Sequence, residues 1–203
     1  MPTALITGAT AGIGAEFARQ LAARGDDLVL VARDGARLAA TAAALQHEFD
    51  VRVEVLPADL HDPEGLAAVD RRLADERRPI ELLVNNAGYG IRGEIDENSV
   101  DDEKRHLDIH VTVPLQLTQT ALRGMLARGS GRIVLIASVA AFTPRGTYSA
   151  AKAWAVMFAR GANIVYRRRG VSVTAVCPGF VRTEFHDRMA VSTEGIPSFL
   201  WLQ

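Results

Sequence analysis

The sequence predicts a single α/β domain in which helices cover both faces of a doubly wound parallel sheet. Six short runs rich in Val, Ile and Leu recur along the 203 residues, with stretches of helix-forming composition between them. These runs are apolar almost throughout and do not alternate with polar residues, which is typical of parallel strands buried on both faces. Strand and helix in regular succession imply right-handed crossovers and ligand binding at the carboxyl ends of the strands.

The predicted strands share β-branched or Leu-rich composition and cover residues 4–7, 27–31, 51–56, 82–85, 132–137 and 171–176. Helix boundary signals separate them. The first helix ends at Gly25, and Asp62 supplies an N-cap before Pro63 at the first helical position. Two long helices are predicted, one over about residues 102–126 and one over about residues 147–169.

Composition favours a small-molecule partner. A net charge of -1 and 48% hydrophobic residues are typical of soluble globular proteins and give no electrostatic case for nucleic acid or an anionic membrane. No apolar run approaches the roughly 18 residues of a membrane span. The single cysteine, Cys177, excludes an intrachain disulfide framework and is expected to be buried and inert, which is consistent with a reducing cytoplasm. No metal site is predicted.

A glycine-rich turn follows the first predicted strand and opens the first helix. Gly8, Gly12 and Gly14 have the spacing Gly-x-x-x-Gly-x-Gly, which differs from the Gly-x-Gly-x-x-Gly dinucleotide fingerprint. The physics is shared, because glycines permit a tight turn and close backbone approach while free N–H groups at a helix N-terminus attract a pyrophosphate. Other nucleotides and S-adenosylmethionine also bind such turns, so the glycines alone leave those ligands open.

Arg33 lies at the end of the second predicted strand, 19 positions after Gly14, where an acidic residue would hold the ribose 2′-OH of NAD. A guanidinium there suits a 2′-phosphate, and Arg37 one turn later could assist. NADP(H) is therefore favoured. NAD(H) stays possible because Asp34 is adjacent, and Arg33 is alternatively an ordinary solvated residue at a helix start.

Tyr148 and Lys152 are four residues apart on a predicted helix, with Ser138 ten positions before the tyrosine. Residues with this spacing share a helix face, so the Lys152 ammonium can stabilise a Tyr148 phenolate. A free phenol titrates near pH 10, so such help is needed for proton exchange at neutral pH. The spacing by itself more often marks a solvated helix face, and the redox interpretation is favoured because the other motifs accompany the pair.

The ordered set of motifs resembles that of the short-chain dehydrogenases/reductases from residue 4 to about residue 183. The matching motifs are Thr7-Gly8-x-x-x-Gly12-Ile13-Gly14, Asp59-Leu60, Asn85-Asn86-Ala87-Gly88, Ser138, Tyr148-x-x-x-Lys152 and Pro178-Gly179-x-x-x-Thr183. The resemblance implies a Rossmann-type fold and an oxidoreductase that acts on CH–OH or C=O groups with NAD(P).

The resemblance also implies roles for individual residues. Ser138 would polarise the substrate oxygen, Tyr148 would exchange its proton, and Lys152 would bind the nicotinamide ribose and lower the Tyr148 pKa. Asp59 would hydrogen-bond the adenine ring. The implied cofactor-binding residues are Thr7, Gly8, Thr10, Gly12, Ile13, Gly14, Arg33, Asp59, Leu60, Asn86, Ala87, Gly88, Tyr148, Lys152, Pro178, Gly179 and Thr183. Taken singly, Asp59 could instead be a local cap, and Asn85 and Asn86 a turn-forming pair.

Two features inside the motif region depart from the family pattern. His110 stands where the family has an asparagine that is thought to hold a water of a proton relay reaching the lysine. An imidazole can bind a water with different volume, geometry and titration, so His110 is a candidate relay residue or a packed replacement. The gap between Ser138 and Tyr148 is shorter than usual, which predicts a tighter loop beside the substrate, with Pro144 and Gly146 enabling the turn.

The family pattern usually continues beyond Thr183 through a mobile substrate lid, a strand and a last helix, whereas this sequence stops at Gln203. The expectation is one dinucleotide-binding oxidoreductase domain over residues 1–203, with a lid from about residue 184 and an incomplete C-terminus that lacks the last strand and helix. The sixth strand would then be an exposed edge. The apolar residues 196–202 could belong to the lid or to the core.

The leading functional hypothesis is an NADP-dependent oxidoreductase for a small or medium, mainly apolar carbonyl or secondary alcohol. A non-catalytic or weakly active NADP-binding sensor or scaffold is the alternative, and a methyltransferase ranks third because it leaves Ser138, Tyr148 and Lys152 without a shared purpose. By resemblance a homodimer or tetramer is expected through the two long helices. An apolar stripe at this subunit interface could include Phe158, Ala162 and Val165, although the same residues could face the core of the domain.

Overall fold

The computed structural model describes residues 1–181 and the backbone of residues 201–202. A six-stranded parallel sheet has the order β3-β2-β1-β4-β5-β6. Its strands are β1 (Thr3–Thr7), β2 (Asp27–Ala32), β3 (Val53–Pro57), β4 (Leu82–Asn85), β5 (Gly131–Ile136) and β6 (Val171–Val176). All six predicted strands are confirmed, with ends that shift by two residues at most. Phe180–Val181 (β7) pairs in parallel with Trp201–Leu202 (β8).

The helices lie between the strands as the alternating pattern predicts. They are α1 (Gly12–Ala23), α2 (Gly35–Phe49), α3 (Pro63–Leu73), α4 (Val100–Leu107), α5 (Val113–Arg128) and α6 (Gly146–Tyr166). The side chains of Asp34, Asp62 and Ser99 cap α2, α3 and α4 by accepting a backbone N–H three residues later. The first long helix differs from its prediction, because a π-helical turn at Asp108–Thr112 interrupts it between α4 and α5.

Two hydrophobic layers enclose the sheet and explain the continuous apolarity of its strands. Along β1, Leu5 faces the layer formed by α3, α5 and α6, whereas Ile6 faces the layer formed by α1 and α2. Both side chains are fully buried. Because successive strand residues point to opposite faces, a strand covered on both sides needs an apolar residue at every position.

The sheet order reverses between β1 and β4, which are neighbours although β2 and β3 intervene in the chain. The buried Thr7 side chain ties the two strand ends together. Its hydroxyl donates to the Val84 carbonyl at 3.3 Å and accepts from the backbone N–H groups of Asn86 and Ala87 at 3.0 Å each. A switch point of this kind opens a crevice at the carboxyl ends of the strands, where ligands bind in doubly wound folds.

Several expectations concern the C-terminal part of the chain. Within the part that the structure describes, β6 pairs in the main sheet with β5 alone and forms its edge, as predicted. Thr183, the lid from about residue 184 and the side chains of residues 196–202 lie outside the described residues. Cys177 corrects an expectation, because it follows β6 and is half-buried instead of buried. None of the described helices is long and apolar enough to cross a membrane.

Candidate active site

The glycine turn joins β1 to α1 by close backbone contact. A Cβ atom on Gly14 would lie 2.3 Å from the Gly8 carbonyl oxygen, and Gly8 itself has a φ of +67°. Ala11 precedes α1 and gives it no side-chain cap. The backbone N–H groups of the first turn of α1 are therefore available to an anion, and the helix dipole favours one there.

Asn86 holds this turn from the neighbouring strand. Its amide nitrogen donates to the carbonyl oxygens of Thr7 at 2.9 Å and Gly8 at 3.1 Å. The Ile13 side chain packs against the apolar layer under α1 and α2. Asp59 accepts from the backbone N–H of His61 at 3.0 Å, which is a local turn contact of the kind that competes with a role in binding adenine. Several predicted cofactor residues therefore shape the crevice through structural contacts.

Two arginines border the same end of the crevice. Arg37 Nη2 donates to the Thr10 carbonyl in the glycine turn at 3.2 Å, so its guanidinium spans from α2 to that turn. Arg33 is exposed at the end of β2, and its charge is one of the influences that lower the pKa of His61. Asp34 Oδ1 accepts from the Arg37 backbone N–H at 3.0 Å, so this carboxylate already serves as the α2 N-cap.

Ser138 and Tyr148 meet at the carboxyl end of β5. Ser138 begins a 3₁₀ turn over Val139–Phe142, and its hydroxyl oxygen accepts from the Ala140 backbone N–H at 3.1 Å. The short connection then enters α6, which brings Tyr148 in its first turn to the serine. A hydrogen bond between the two side chains lowers the pKa of Tyr148, but burial has the larger effect and raises that pKa above 10.

Lys152 follows one helical turn later and is only 7% exposed. Its Nζ donates to the Ile136 carbonyl at 2.7 Å and lies 5.6 Å from the centre of the Tyr148 ring. Burial lowers the Lys152 pKa from 10.5 to about 8. The ammonium is thus held by the Ile136 carbonyl close to the Tyr148 ring, while burial of the phenol has the largest effect on the Tyr148 pKa and raises it.

The loop after β6 lies beside Ser138. The Pro178 carbonyl accepts from the Val139 backbone N–H at 3.0 Å, so the segment containing Pro178 and Gly179 borders the 3₁₀ turn. Val139 and Phe142, at the two ends of that turn, are 45% and 64% exposed. In a 3₁₀ helix residues three apart lie on one side, so these two side chains form one apolar surface next to Ser138.

His110 lies in the π-helical turn and is buried at the same site. Its Nε2 is 2.7 Å from the Tyr89 carbonyl, and its ring stands edge-on to Tyr148 with centroids 5.6 Å apart. A carbonyl only accepts, so Nε2 carries the proton and Nδ1 has the lone pair. Burial and the Lys152 charge hold the His110 pKa well below 6.5. A Cβ on Gly88 would lie 2.3 Å from His110 Cε1, so glycine is required for this contact.

A small cavity connects His110 with Lys152. It has a volume of about 10 Å³, and its lining includes Asn85, Pro114 and Ala155. Asn85 donates to the Thr118 hydroxyl, but its buried Oδ1 has no partner among the residues that the structure describes. A site of this size with polar walls suits one water molecule.

The comparisons with known proteins agree with this geometry. Residues 2–192 match the family model of the short chain dehydrogenases. The chain belongs to the short-chain dehydrogenase family. It is therefore an oxidoreductase of that family, as its Rossmann-type sheet and the motif order predict.

Among curated relatives, this short-chain dehydrogenase is 35% identical to the oxidoreductase UcpA of Escherichia coli strain K12, over 93% of this chain and 72% of UcpA. Among solved structures, it is similar to a short-chain dehydrogenase from Sphingobium yanoikuyae in complex with NADPH, with 39% identity, a TM-score of 0.94, and coverage of 99% of this chain and 79% of the other. A bulky-bulky ketone specific alcohol dehydrogenase from Comamonas testosteroni is 37% identical, with a TM-score of 0.87 over 90% of this chain and 74% of its own.

The residues of this short-chain dehydrogenase fit a dinucleotide. The uncapped N-terminus of α1 suits a pyrophosphate, and Arg33 and Arg37 border the place of an adenosine ribose. Lys152 is a buried cation that pairs with no carboxylate in the described part of the chain, so a ribose hydroxyl is a suitable acceptor.

Sequence reasoning missed several members of the site. His106 is completely buried and its ring is 4.6 Å from that of His110, while Tyr89 supplies the carbonyl that fixes His110. The Ile136 carbonyl and the Asn85 side chain line the cavity. Asn85 belongs to the Asn85-Asn86-Ala87-Gly88 motif, although the sequence suggested only a turn-forming role for it, and His106 left a signal in its four-residue spacing from His110 on a predicted helix.

Proposed function

We propose that this protein is an NADP(H)-dependent oxidoreductase for a small or medium, mainly apolar carbonyl compound or secondary alcohol. Tyr148 is the general acid and base. The observation that carries the proposal is the meeting of Ser138, Tyr148 and Lys152 at the carboxyl end of β5, beside an uncapped helix N-terminus. Donors placed in advance around a developing alkoxide are the usual source of catalysis in such a reaction.

Each of the three side chains has one task. Bound NADPH would supply the hydride. The Ala140 N–H fixes the Ser138 hydroxyl beside Tyr148, where its O–H can turn to polarise the substrate oxygen. Tyr148 gives that oxygen a proton, since burial keeps the phenol protonated at neutral pH. Lys152 binds the ribose and supports a phenolate through its charge.

NADP(H) is proposed over NAD(H) because the acidic candidate is already engaged. Asp34 caps α2, whereas Arg33 and Arg37 present guanidinium groups at the same corner of the crevice. A 2′-phosphate pairs well with a guanidinium fork. The Sphingobium relative is described as an NADPH complex, which supports this preference.

An apolar substrate is proposed from the surface next to Ser138. Val139 and Phe142 expose apolar side chains on one side of the 3₁₀ turn. The Comamonas relative is described as specific for bulky-bulky ketones, which agrees in chemical class. Burial of such side chains against substrate contributes about 25 cal/mol per Å² of apolar area.

His110 is proposed as the relay residue that replaces the family asparagine. Its Nδ1 lone pair can accept from a water in the cavity that Lys152 also lines. Through that water Lys152 can recover the proton that it passes to Tyr148. This assignment accounts for a buried, neutral imidazole beside a buried ammonium.

A homodimer or tetramer is proposed in which a second copy of the chain packs against α5 and α6. An apolar groove of about 380 Å³ runs between these helices, and its walls are Leu115, Thr118, Gln119, Leu122, Met157, Phe158, Gly161, Ala162, Val165 and Tyr166. The predicted stripe of Phe158, Ala162 and Val165 lies in this groove. We also propose, in agreement with the sequence prediction, that the chain forms one domain and that the protein is cytoplasmic.

The test is Tyr148→Phe, assayed with NADPH and a panel of apolar ketones and aldehydes. Loss of the hydroxyl is expected to reduce kcat/KM by about 10³-fold while NADPH binding, followed by fluorescence, stays within about threefold. Undiminished turnover in the variant would exclude Tyr148 as the acid. Tight NADPH binding by the unmodified protein with no turnover of any carbonyl would favour the sensor or scaffold alternative.

A further inference from the structure

Three titratable residues follow one another on the same face of α4 and the π-helical turn. Glu103, His106 and His110 are spaced three and four positions apart, which aligns them along a helix. The His106 and His110 rings have centroids 4.6 Å apart. Glu103 precedes His106 by one helical turn, and its negative charge raises the pKa of His106.

His106 lacks the partners that a buried imidazole normally has. It is 0% exposed, and neither ring nitrogen makes a hydrogen bond with good geometry to any residue that the structure describes. The Tyr89 carbonyl, which already accepts from His110, lies near enough to raise the His106 pKa slightly. A buried polar group left unpaired costs about 1–3 kcal/mol, so a Leu or Phe would be the better packing residue.

Glu103, at the solvent end of the row formed by Glu103, His106 and His110, also has a buried polar atom without a hydrogen-bond partner. Its Oε1 accepts from Asn98 Nδ2 at 2.9 Å, but its Oε2 is buried and has no partner within the described part of the chain. The adjacent residues Val100, Asp101 and Asp102 are exposed at the N-terminal end of α4. Glu103 therefore stands between solvent and the two buried histidines.

Burial, assisted by nearby positive charge, keeps both rings neutral near pH 7. Burial lowers the pKa of each, and the Lys152 charge adds to this effect. Glu103 acts in the opposite direction on His106, and His61 and His106 both lower the pKa of His110. The neutral His106 imidazole has one N–H and one lone pair, so it can take up a proton at one nitrogen and release another from the second, whereas the His110 N–H stays on the Tyr89 carbonyl.

We propose that Glu103 and His106 form the outer half of a proton path that leads past His110 to the water it holds in the Lys152 cavity. The inference rests on the proposed reductase function and extends its relay to the surface. The unpartnered nitrogens of His106 and the free oxygen of Glu103 bind the waters that connect the row.

The proton balance of a reduction closes along this row. Hydride from the reduced dinucleotide would add to the carbonyl carbon, Tyr148 breaks its O–H bond to protonate the carbonyl oxygen, and the Lys152 ammonium restores the tyrosine O–H bond. Lys152 regains an N–H bond from the cavity water, which the His110 Nδ1 lone pair holds in place, and that water regains its proton from His106 through a further water. Glu103 passes one solvent proton to His106, so each turnover consumes one proton from solvent.

The kinetic test uses Glu103→Gln and His106→Phe in the full chain, with Glu48→Gln and His47→Phe on the exposed end of α2 as matched controls. At saturating NADPH and ketone, kcat of the two path variants is expected to fall three- to tenfold above pH 8, where protons are scarce. KM values should stay unchanged, and the solvent deuterium isotope effect on kcat should increase because proton delivery limits the rate.

A purely structural role predicts a different result. Loss of kcat by one factor at every pH with an unchanged isotope effect would overturn the path, and so would a pH profile identical to that of the unmodified enzyme. Glu103→Gln keeps the volume of the side chain, so its kinetics test the proton path even if His106→Phe does not fold.

A second readout needs no turnover. Titration of the imidazole nitrogens by NMR in the protein without cofactor should show a lower His106 pKa in Glu103→Gln than in the unmodified protein. An unaltered His106 titration refutes the coupling. Failure of the proposed function itself is recognised separately, since it would appear as full activity of Tyr148→Phe.

Discussion

Lys152 Nζ donates a 2.7 Å hydrogen bond to the carbonyl oxygen of Ile136, the last residue of β5. This contact holds an ammonium group in a place where it is only 7% exposed and where burial lowers its pKa to about 8. One carbonyl dipole compensates only part of the desolvation of a full charge. The fold therefore maintains Lys152 at a cost to its own stability.

Replacement of Lys152 by methionine should expose this cost. At pH 6–7, below the folded-state pKa, we expect Lys152→Met to raise the free energy of unfolding by about 1–3 kcal/mol while abolishing most reductase activity. Between about pH 8 and pH 10.5 the unfolded chain binds more protons at this residue than the folded one, so the stability of the unmodified protein rises. The advantage of the variant should shrink over that range in urea unfolding curves.

The exposed Lys104 provides the control, and Lys104→Met should change stability by less than about 0.5 kcal/mol at any pH. An equal destabilisation by Lys152→Met at pH 7 and pH 10 would contradict the account.

Arg33→Ala should separate the two nicotinamide cofactors. We expect KM for NADPH to rise by about 10- to 100-fold with little change in KM for NADH, because only the 2′-phosphate pairs with the guanidinium. Arg24→Ala, at the exposed end of α1, should leave both values unchanged. Equal losses with the two cofactors would argue for a solvated or structural Arg33.

His110→Asn should preserve or increase turnover. The asparagine amide can hold the cavity water that the imidazole holds, and it removes the contact between Cε1 and Gly88. His110→Leu removes every polar atom and is expected to lower kcat about tenfold with unchanged KM for NADPH. Stopped-flow measurement of NADPH oxidation checks both, and a large loss in His110→Asn would speak against the relay.

Gly161→Arg should prevent self-association without unfolding the monomer. Gly161 lies in the groove between α5 and α6, and a Cβ there meets no atom within 4 Å. A guanidinium has room in the isolated chain but places a charge in an apolar interface. Sedimentation at micromolar concentration should show a dimer or tetramer for the unmodified chain and for Ile164→Arg, which lies outside the groove, and a monomer for Gly161→Arg. A monomeric unmodified chain would refute the interface.

Local patterns in the sequence were sufficient to predict the strands, the helix caps and which functional residues share a helix face. The 82–85 run predicts β4 because a buried parallel strand must be apolar at every position, and Asp62 before Pro63 predicts the start of α3 because both residues satisfy first-turn geometry. The Tyr148 to Lys152 spacing predicts a shared helix face for the same local reason. The conformation of each segment follows from residues next to it in the chain.

The order of the motifs likewise predicted the family of the protein. The motifs outside α6 fall at or just after strand ends, and the ends of parallel strands meet at one edge of the sheet. Tertiary structure alone decided which way Lys152 points, that burial raises the Tyr148 pKa, and that a π-helical turn brings His110 to the cavity. These properties depend on solvent exclusion and on partners distant in the chain. His106 shows the difference most clearly, because its residue type was visible in the sequence but its complete burial beside His110 was set by packing.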